Sequence, residues 1–479
     1  MRLSAREILS ACADLEPELV QGEPETVFNG LSTDSRTVAP GQLFVALKGE
    51  RFDGHDFVFQ ALKRGAAGAL VDSAWADGAL SKEDGQGIDQ AVIIATTDSL
   101  TGLGRVGRHW RLKFSAPVLA ISGSIGKSTV KEMAASILAV SRRVRKNQGN
   151  LNNLIGLPLT LATIDQADQT VVVELGVNQP GEMERLADMA RPEAALLTNI
   201  APVHLEGLGD MAGVARAKTA LWRALTPQGR AVVNLDDPFL AAAGQEFSGP
   251  KITFGSLAAG VKEADVILVS AQPAGAEGLD LELAVRGMTC RTRIQALGHV
   301  FQGQNATAAC AGALALGAGV EDMVQGLSRF QQLDHRMRLL KGRGGLVVLD
   351  DAYNANPLSM TAALKTLRQI TPAQARAGAI LGQMAELGSQ AEAAHQALGQ
   401  EAARAELDLL IALGPWAKTV LSAAKKAGLK ETREAQNQTQ AADLVLSLLG
   451  RGDVVLVKGS RVAGLEQTVA LLTGGGHGA

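Results

Sequence analysis

The chain has 479 residues, enough at roughly 150 residues per domain for about three domains with cores of their own. Its 46 basic and 49 acidic residues leave a net charge of -3, which gives no electrostatic ground for binding nucleic acid or an anionic membrane. The cysteines are Cys12, Cys290 and Cys310, an odd number without C-x-x-C spacing, which argues against a disulfide framework or a zinc site and fits a reducing cytoplasm. In chain order, the first 15 residues space Leu3, Ile8, Leu9, Cys12 and Leu15 as an amphipathic helix and interleave Arg2, Arg6 and Glu7, unlike a signal peptide. Between 30 and 97, strand-like runs at 43–47 and 91–95 alternate with a helical pattern at 57–65. Polar Gly/Asp-rich stretches such as 77–87 separate them, and the whole predicts a small α/β domain. From 116 to about 330, apolar strands at 118–121, 171–174, 194–198 and 231–234 alternate with helical patterns, the signature of a parallel sheet covered on both faces. Closer spacing at 266–269 and 279–285 predicts an antiparallel appendage rather than further βαβ units. Runs at 346–351, 377–381, 407–413 and 454–458, with helices between, predict a third domain with its own doubly wound sheet. Runs such as 402–413 carry charges and fall short of the roughly 20 apolar residues of a membrane span, so a soluble chain is expected.

Chemistry enters at Gly123-Ser124-Ile125-Gly126-Lys127-Ser128-Thr129, between the apolar run 118–121 and a helical pattern from Val130. A buried strand delivers such a loop, glycines turn backbone N–H groups toward phosphate oxygens, Lys127 neutralises them, and the Ser128 hydroxyl can join a Mg²⁺ shell. This points to ATP or GTP. The longer spacing G-x-x-x-x-G-K-[ST] would need glycine where Ile121 stands, and a helix-capping Gly/Ser turn is the plain alternative. Glu174 closes a predicted strand just before Gly176, so its carboxylate should reach the carboxyl end of the sheet beside the loop, where a metal ligand belongs. Asn199, His204 and Glu206 follow the next strand; His204 reads either as one nitrogen ligand on an oxygen-rich metal shell or as a structural imidazole. Lys218 lies on a helix predicted from near Met211, with Val214, Ala217 and Leu221 inward, and on that pattern alone is a solvated lysine.

Together with Asn150-Leu151-Asn152-Asn153, Glu174-Leu175-Gly176, Asn199-Ile200-Ala201-Pro202-Val203-His204 and Ala217-Lys218, the loop resembles the central domain of the Mur ligases. These are the ATP-dependent amide-bond enzymes of peptidoglycan synthesis, and their shorter phosphate loop accounts for Ile121. Asp34-Ser35-Arg36, Gly41-Gln42-Leu43-Phe44-Val45-Ala46-Leu47 and Asp53-Gly54-His55 resemble the N-terminal domain in which that family holds a UDP-sugar nucleotide. Asp350-Asp351-Ala352-Tyr353-Asn354-Ala355-Asn356-Pro357 and Leu381-Gly382-Gln383-Met384-Ala385-Glu386-Leu387-Gly388 resemble the member that adds D-alanyl-D-alanine. The Asp-Asn-Pro-Arg motif usual in the diaminopimelate-adding member is absent from the sequence.

The resemblance implies an α/β chain of three domains: a small N-terminal α/β UDP-sugar-binding domain over 1–112, a central P-loop ATPase-like domain with a mostly parallel sheet over 113–332, and a C-terminal Rossmann-like doubly wound domain over 333–479. It implies a cytoplasmic ligase that joins D-alanyl-D-alanine to UDP-N-acetylmuramoyl-tripeptide through an acyl phosphate, using ATP and Mg²⁺; the net charge and the lack of a coiled-coil seam make a monomer the default expectation. Residues 123–129 would hold the ATP phosphates, with Ser128, Glu174, His204 and a CO₂-carbamylated Lys218 around the metal. Asn305 would contact adenine, Arg336 the γ-phosphate from the third domain, and Asp351 the ribose. Ser35 and Arg36, in the UDP-sugar domain, and Asn152 and Asn153 would bind substrate, with Tyr353, Asn354 and Asn356 near the nucleotide and the incoming dipeptide. Ala220, Phe301-Gln302 and Gln383 depart from the family pattern, where a glutamate, a His-Asn pair and an aspartate are usual. The alternatives are a ligase of the same fold for another amino acid or dipeptide, and a non-catalytic ATP-binding protein.

Overall fold

The strands Val118–Ser122, Thr170–Glu174 and Ala194–Leu197 are buried along their whole length, which a sheet allows only when helices cover both faces. A computed structural model describes residues 1–49, 52–79, 90–203, 205–274, 278–296 and 299–475. They build three main sheets.

The N-terminal sheet runs Glu18–Gln21, Val92–Thr96, Gly68–Asp72, Leu43–Val45, Leu31–Ser32, parallel except for its first pair. The expected amphipathic helix is shorter than its pattern. Ser4 caps the helix Ala5–Ala11 in a capping box with Glu7, and Leu3–Ser4 pairs with Val27–Phe28 as a strand instead. The pattern at 57–65 resolves into a tight turn, Gly54–Phe57, followed by the helix Val58–Lys63. Most of the polar stretch 77–87 lies outside the described residues.

The central sheet has nine strands in the order Met288–Ile294, Leu279–Val285, Val266–Pro273, Lys251–Ser256, Arg230–Asn234, Ala194–Leu197, Val118–Ser122, Thr170–Glu174, Val144–Lys146. The antiparallel appendage is present with a difference. Val266–Pro273 still pairs parallel with Lys251–Ser256 and turns antiparallel only toward Leu279–Val285, and Met288–Ile294 adds a strand whose alternation of exposed polar side chains hid it. The chain crosses over at Val118–Ser122, with Glu174 on one side and Leu197 on the other, which opens a crevice at the carboxyl ends of these strands. The helix Ser99–Arg111 ties this unit to the N-terminal sheet. Arg105 bridges Asp14 and Asp188, Trp110 Nε1 donates to Ile164 O at 2.9 Å, and a Cβ at Gly107 would lie 2.5 Å from Pro158 Cβ.

The third sheet runs Arg338–Lys341, Val347–Asp351, Val454–Lys458, Ala377–Leu381, Leu409–Leu413, Thr432–Ala435, parallel except at the first pair. Its four inner strands are the four predicted apolar runs. Both unpredicted strands are the edges, where polar side chains face water and no continuous apolar run is required. Among the described residues no helix is long and apolar enough to cross a membrane.

Candidate active site

The loop after Val118–Ser122 depends on two glycines. Gly123 and Gly126 have φ of +133° and +84°, and a Cβ would come within 2.0 Å of Thr198 Oγ1 at the first and 2.4 Å of Asn305 Oδ1 at the second. Because Gly126 takes the left-handed N-cap conformation, the helix Lys127–Leu138 begins three residues before the apolar pattern that announced it. Its first turn therefore turns free N–H groups and Lys127 toward the crevice, an arrangement suited to phosphate. The segment 198–201 straps the loop. Ile125 N donates to Asn199 Oδ1 at 3.0 Å, Ser124 N to Asn199 O at 2.9 Å, and Thr198 Oγ1 to Ile125 O at 2.7 Å. Lys127 Nζ folds back onto Gly123 O at 2.9 Å and Ser124 O at 3.1 Å. Burial lowers the pKa of this ammonium, opposed by the charges of Glu174 and Glu386, while Arg336 adds to the lowering.

Glu174 is positioned by a residue that the sequence reading did not single out. Asn147, fully buried, accepts Glu174 N at 3.0 Å and donates to Glu174 O at 3.1 Å, while Lys131 Nζ donates to Asn147 O at 2.7 Å. Asn152 Nδ2 donates to Glu174 Oε1 at 2.8 Å, and Oε2 is buried with no hydrogen-bond partner among the described residues. A buried carboxylate oxygen left unpaired beside a phosphate loop is the donor a divalent cation would complete. Among the described residues no group of three or more His, Cys, Asp and Glu gathers here. One carboxylate, the Ser128 hydroxyl and open space suit Mg²⁺, which keeps waters and phosphate oxygens in its shell. His204 lies outside the described residues.

Lys218 corrects the reading from its pattern. It sits on Met211–Arg223 with a relative exposure of 1%, on the face of the buried Val214 and Leu221, and is not a solvated lysine. Burial, and then the neighbouring Lys127, push its amine well below the usual lysine range. Ala220, where the family pattern has a glutamate, is also buried.

The third sheet supplies the opposite wall. Arg336 Nη2 donates to Ser128 Oγ at 3.0 Å across 208 residues of chain, and its guanidinium lies 4.1 Å from the Tyr353 ring centroid. It is presented between two residues in the left-handed region, His335 at φ +58° and Met337 at φ +55°. Such backbone costs of order 1–2 kcal/mol per residue. Hydrogen bonds from His335 Nδ1 to Asp350 Oδ2 at 2.8 Å and from Met337 N to Asp351 Oδ1 at 3.2 Å hold it in place. Asp351 Oδ2 accepts from Lys458 Nζ at 2.6 Å, and the same ammonium donates to Asn354 O at 2.9 Å. Asn356 Oδ1 caps the helix Pro357–Ile370 by accepting Ser359 N, Asn153 Oδ1 accepts Gly156 N, and Asn354 Oδ1 accepts Ala355 N. These three side-chain oxygens, expected near substrate, are thus engaged with backbone.

Residues 124–129, Glu174, Asn152, Asn153, Asn305, Arg336, Asp351, Tyr353, Asn354 and Asn356 all line one cavity of about 620 Å³, together with Phe301 and Gln302. Gln302 Oε1 accepts from Asn305 Nδ2 at 3.3 Å. Gly123, the first residue of the loop, and Lys218 are outside the lining. Ser35 and Arg36 are outside the lining too, in the turn after the edge strand Leu31–Ser32 of the N-terminal sheet, where Ser35 Oγ donates to Gln60 Oε1 at 2.9 Å and Arg36 pairs with Asp34 at 2.8 Å.

Family descriptions match along the chain: the Mur ligase family catalytic domain at 27–93, the Mur ligase middle domain at 121–313, and the Mur ligase glutamate ligase domain at 335–461. The UDP-N-acetylmuramoyl-tripeptide--D-alanyl-D-alanine ligase of Escherichia coli is 33% identical over 466 residues, 97% of this chain and 98% of that protein. A crystal structure of MurF from Acinetobacter baumannii superposes with a TM-score of 0.84 at 30% identity, covering 98% of each chain. MurF from Thermotoga maritima, in complex with ADP, gives a TM-score of 0.79 at 25% identity over 92% of this chain and 96% of its own. Likeness that runs nearly end to end, through all three sheets and the crevice between two of them, decides the relationship: the chain belongs to the Mur ligase family.

Proposed function

We propose that this chain is an ATP-dependent ligase that joins D-alanyl-D-alanine to the terminal carboxylate of UDP-N-acetylmuramoyl-tripeptide in the cytoplasm. The observation that carries the reading is the single cavity in which the phosphate loop of one sheet faces Arg336, Asp351 and Tyr353 of another. The names of the full-length relatives supply the substrates, and the ADP in the Thermotoga maritima structure supports ATP as the nucleotide. In this reading residues 1–112 hold the UDP-sugar through Ser35 and Arg36, residues 113–332 bind ATP, and residues 333–479 close over both.

A carboxylate is a poor electrophile, so its oxygen attacks the γ-phosphorus in line, ADP leaves, and an acyl phosphate forms. Lys127 exchanges two loop carbonyls for phosphate oxygens, and Arg336 turns from Ser128 to the transferring phosphoryl group, spreading its charge. Mg²⁺ held by Ser128 Oγ and Glu174 Oε2 would neutralise the phosphate oxygens. The dipeptide amine then attacks the acyl carbon, and the tetrahedral intermediate loses phosphate and a proton. Enclosure between two domains keeps water from the acyl phosphate. With oxygen-18 in the acceptor carboxylate, the expected product is heavier by one dipeptide residue and the released phosphate carries one label. Unlabelled phosphate accompanying product would contradict the acyl phosphate.

Lys218 is assigned the carbamate. Burial lowers the pKa of its amine and so favours the neutral form that adds to CO₂: an N–C bond forms, one N–H proton leaves, and the site beside Lys127 gains an anion. Buffer stripped of CO₂ should lower kcat, with bicarbonate restoring it. The requirement for added bicarbonate should grow as pH falls, because protonation removes the attacking lone pair. A kcat indifferent to CO₂ across that range contradicts the assignment.

A further inference from the structure

We propose that Arg461 binds the non-reacting carboxylate of the incoming amine substrate and makes the enzyme select a dipeptide with a free C-terminus; this rests on the ligase reading above. Arg461 begins the short turn Arg461–Ala463 just after the strand Val454–Lys458, and its guanidinium carbon lies 5.5 Å from the Tyr353 ring centroid. Tyr353 lines the cavity, and its ring also carries Arg336 at 4.1 Å.

The cations that line the cavity are already engaged: Lys127 with the loop carbonyls, Arg336 with Ser128, and Lys458 with Asp351. Arg461 is exposed, and among the described residues its guanidinium makes no hydrogen bond and no ion pair. Its backbone is nevertheless held firmly. Ser460 N donates to Gln383 O at 2.9 Å, and Gly459 packs so closely on the neighbouring loop that an added Cβ would lie 3.1 Å from Gly382 Cα. A fixed base with an uncommitted guanidinium beside an aromatic ring is suited to a forked grip on a carboxylate.

The substrate chemistry requires such a group. A dipeptide brings its carboxylate toward an acyl phosphate and ADP, all anionic, and the amine can attack only if the far end is neutralised and held. Arg336, on the phosphate side, and Arg461 lie 4.1 and 5.5 Å from one ring centroid, so their heads are separated by no more than the sum of those distances. An extended dipeptide, about 7 Å long, fits within that upper bound.

The test compares wild type, Arg461→Gln and Arg461→Lys with D-alanyl-D-alanine and with its C-terminal amide. Wild type should prefer the acid. Arg461→Gln should lose roughly ten- to a hundredfold in kcat/KM for the acid, chiefly through the KM of the dipeptide. KM for ATP and for the UDP-tripeptide should hold, the acid-over-amide preference should collapse toward one, and Arg461→Lys should restore part of it. The melting temperature of the glutamine variant should match wild type, since no partner is lost. A glutamine variant that keeps the wild-type acid-over-amide ratio overturns the assignment while leaving the ligase reading intact, as does a wild type that accepts both forms equally. A wild type inert toward D-alanyl-D-alanine fails the ligase reading itself, and the assignment with it.

Discussion

Replacing Lys127 by methionine should lower kcat by about 10²–10³-fold, the loss that follows removal of one preorganised group stabilising a transferring charge. The folded protein should survive the change. Among the described residues the ammonium is satisfied only by two carbonyls of its own loop, Gly123 O and Ser124 O, and burial already disfavours its charge. Losing these bonds costs on the order of 1 kcal/mol, partly offset by relief of that burial. The melting temperature without nucleotide should therefore stay close to wild type while turnover collapses. Methionine at this position with turnover within a few-fold of wild type would show that the loop lysine does not bear the phosphate charge.

The second large effect is one of stability. Lys458 is buried at the end of its strand and joins Asp351 Oδ2 and Asn354 O, so Lys458→Met leaves the Asp351 carboxylate buried without its partner. Breaking a buried pair from one side costs about 3–5 kcal/mol. Denaturant unfolding of the third domain should register that loss, and Asp351→Asn placed in the same chain should recover part of it. Activity should fall as well, because the pair holds the segment that carries Tyr353 and Asn354 on the cavity wall. Full recovery by Asp351→Asn would mean that the pair adds nothing beyond mutual neutralisation. A single variant as stable as wild type would mean that water reaches the carboxylate.

What the sequence revealed follows from the range of each interaction. The phosphate loop was legible because its function resides in backbone turns that glycine spacing reports directly, and the inner strands because sheets covered on both faces require unbroken apolar runs. Edge strands such as Thr432–Ala435 and Arg338–Lys341 escaped because nothing presses on their outer side. Lys218 was legible in principle. It falls four residues after Val214 and three before Leu221, the spacing of one helix face, and that face is buried. The inward stripe outweighed the usual preference of a lysine for water. Asn147 gave no signal, since a short amide between a strand and a turn is ordinary until Glu174 is seen to rest on it. The contact of Arg336 with Ser128 has no local signature at all: it joins groups 208 residues apart and exists only because two distinct sheets meet.

The most direct measurement is phosphate release from ATP and Mg²⁺ with UDP-N-acetylmuramoyl-tripeptide present and D-alanyl-D-alanine, D-alanine, meso-diaminopimelate or L-lysine offered in separate mixtures. Release that depends strictly on D-alanyl-D-alanine is the predicted result. Release with a different amine would contradict the assigned substrate while keeping the chemistry, and silence in every mixture from a protein that still binds ATP would contradict the ligase itself.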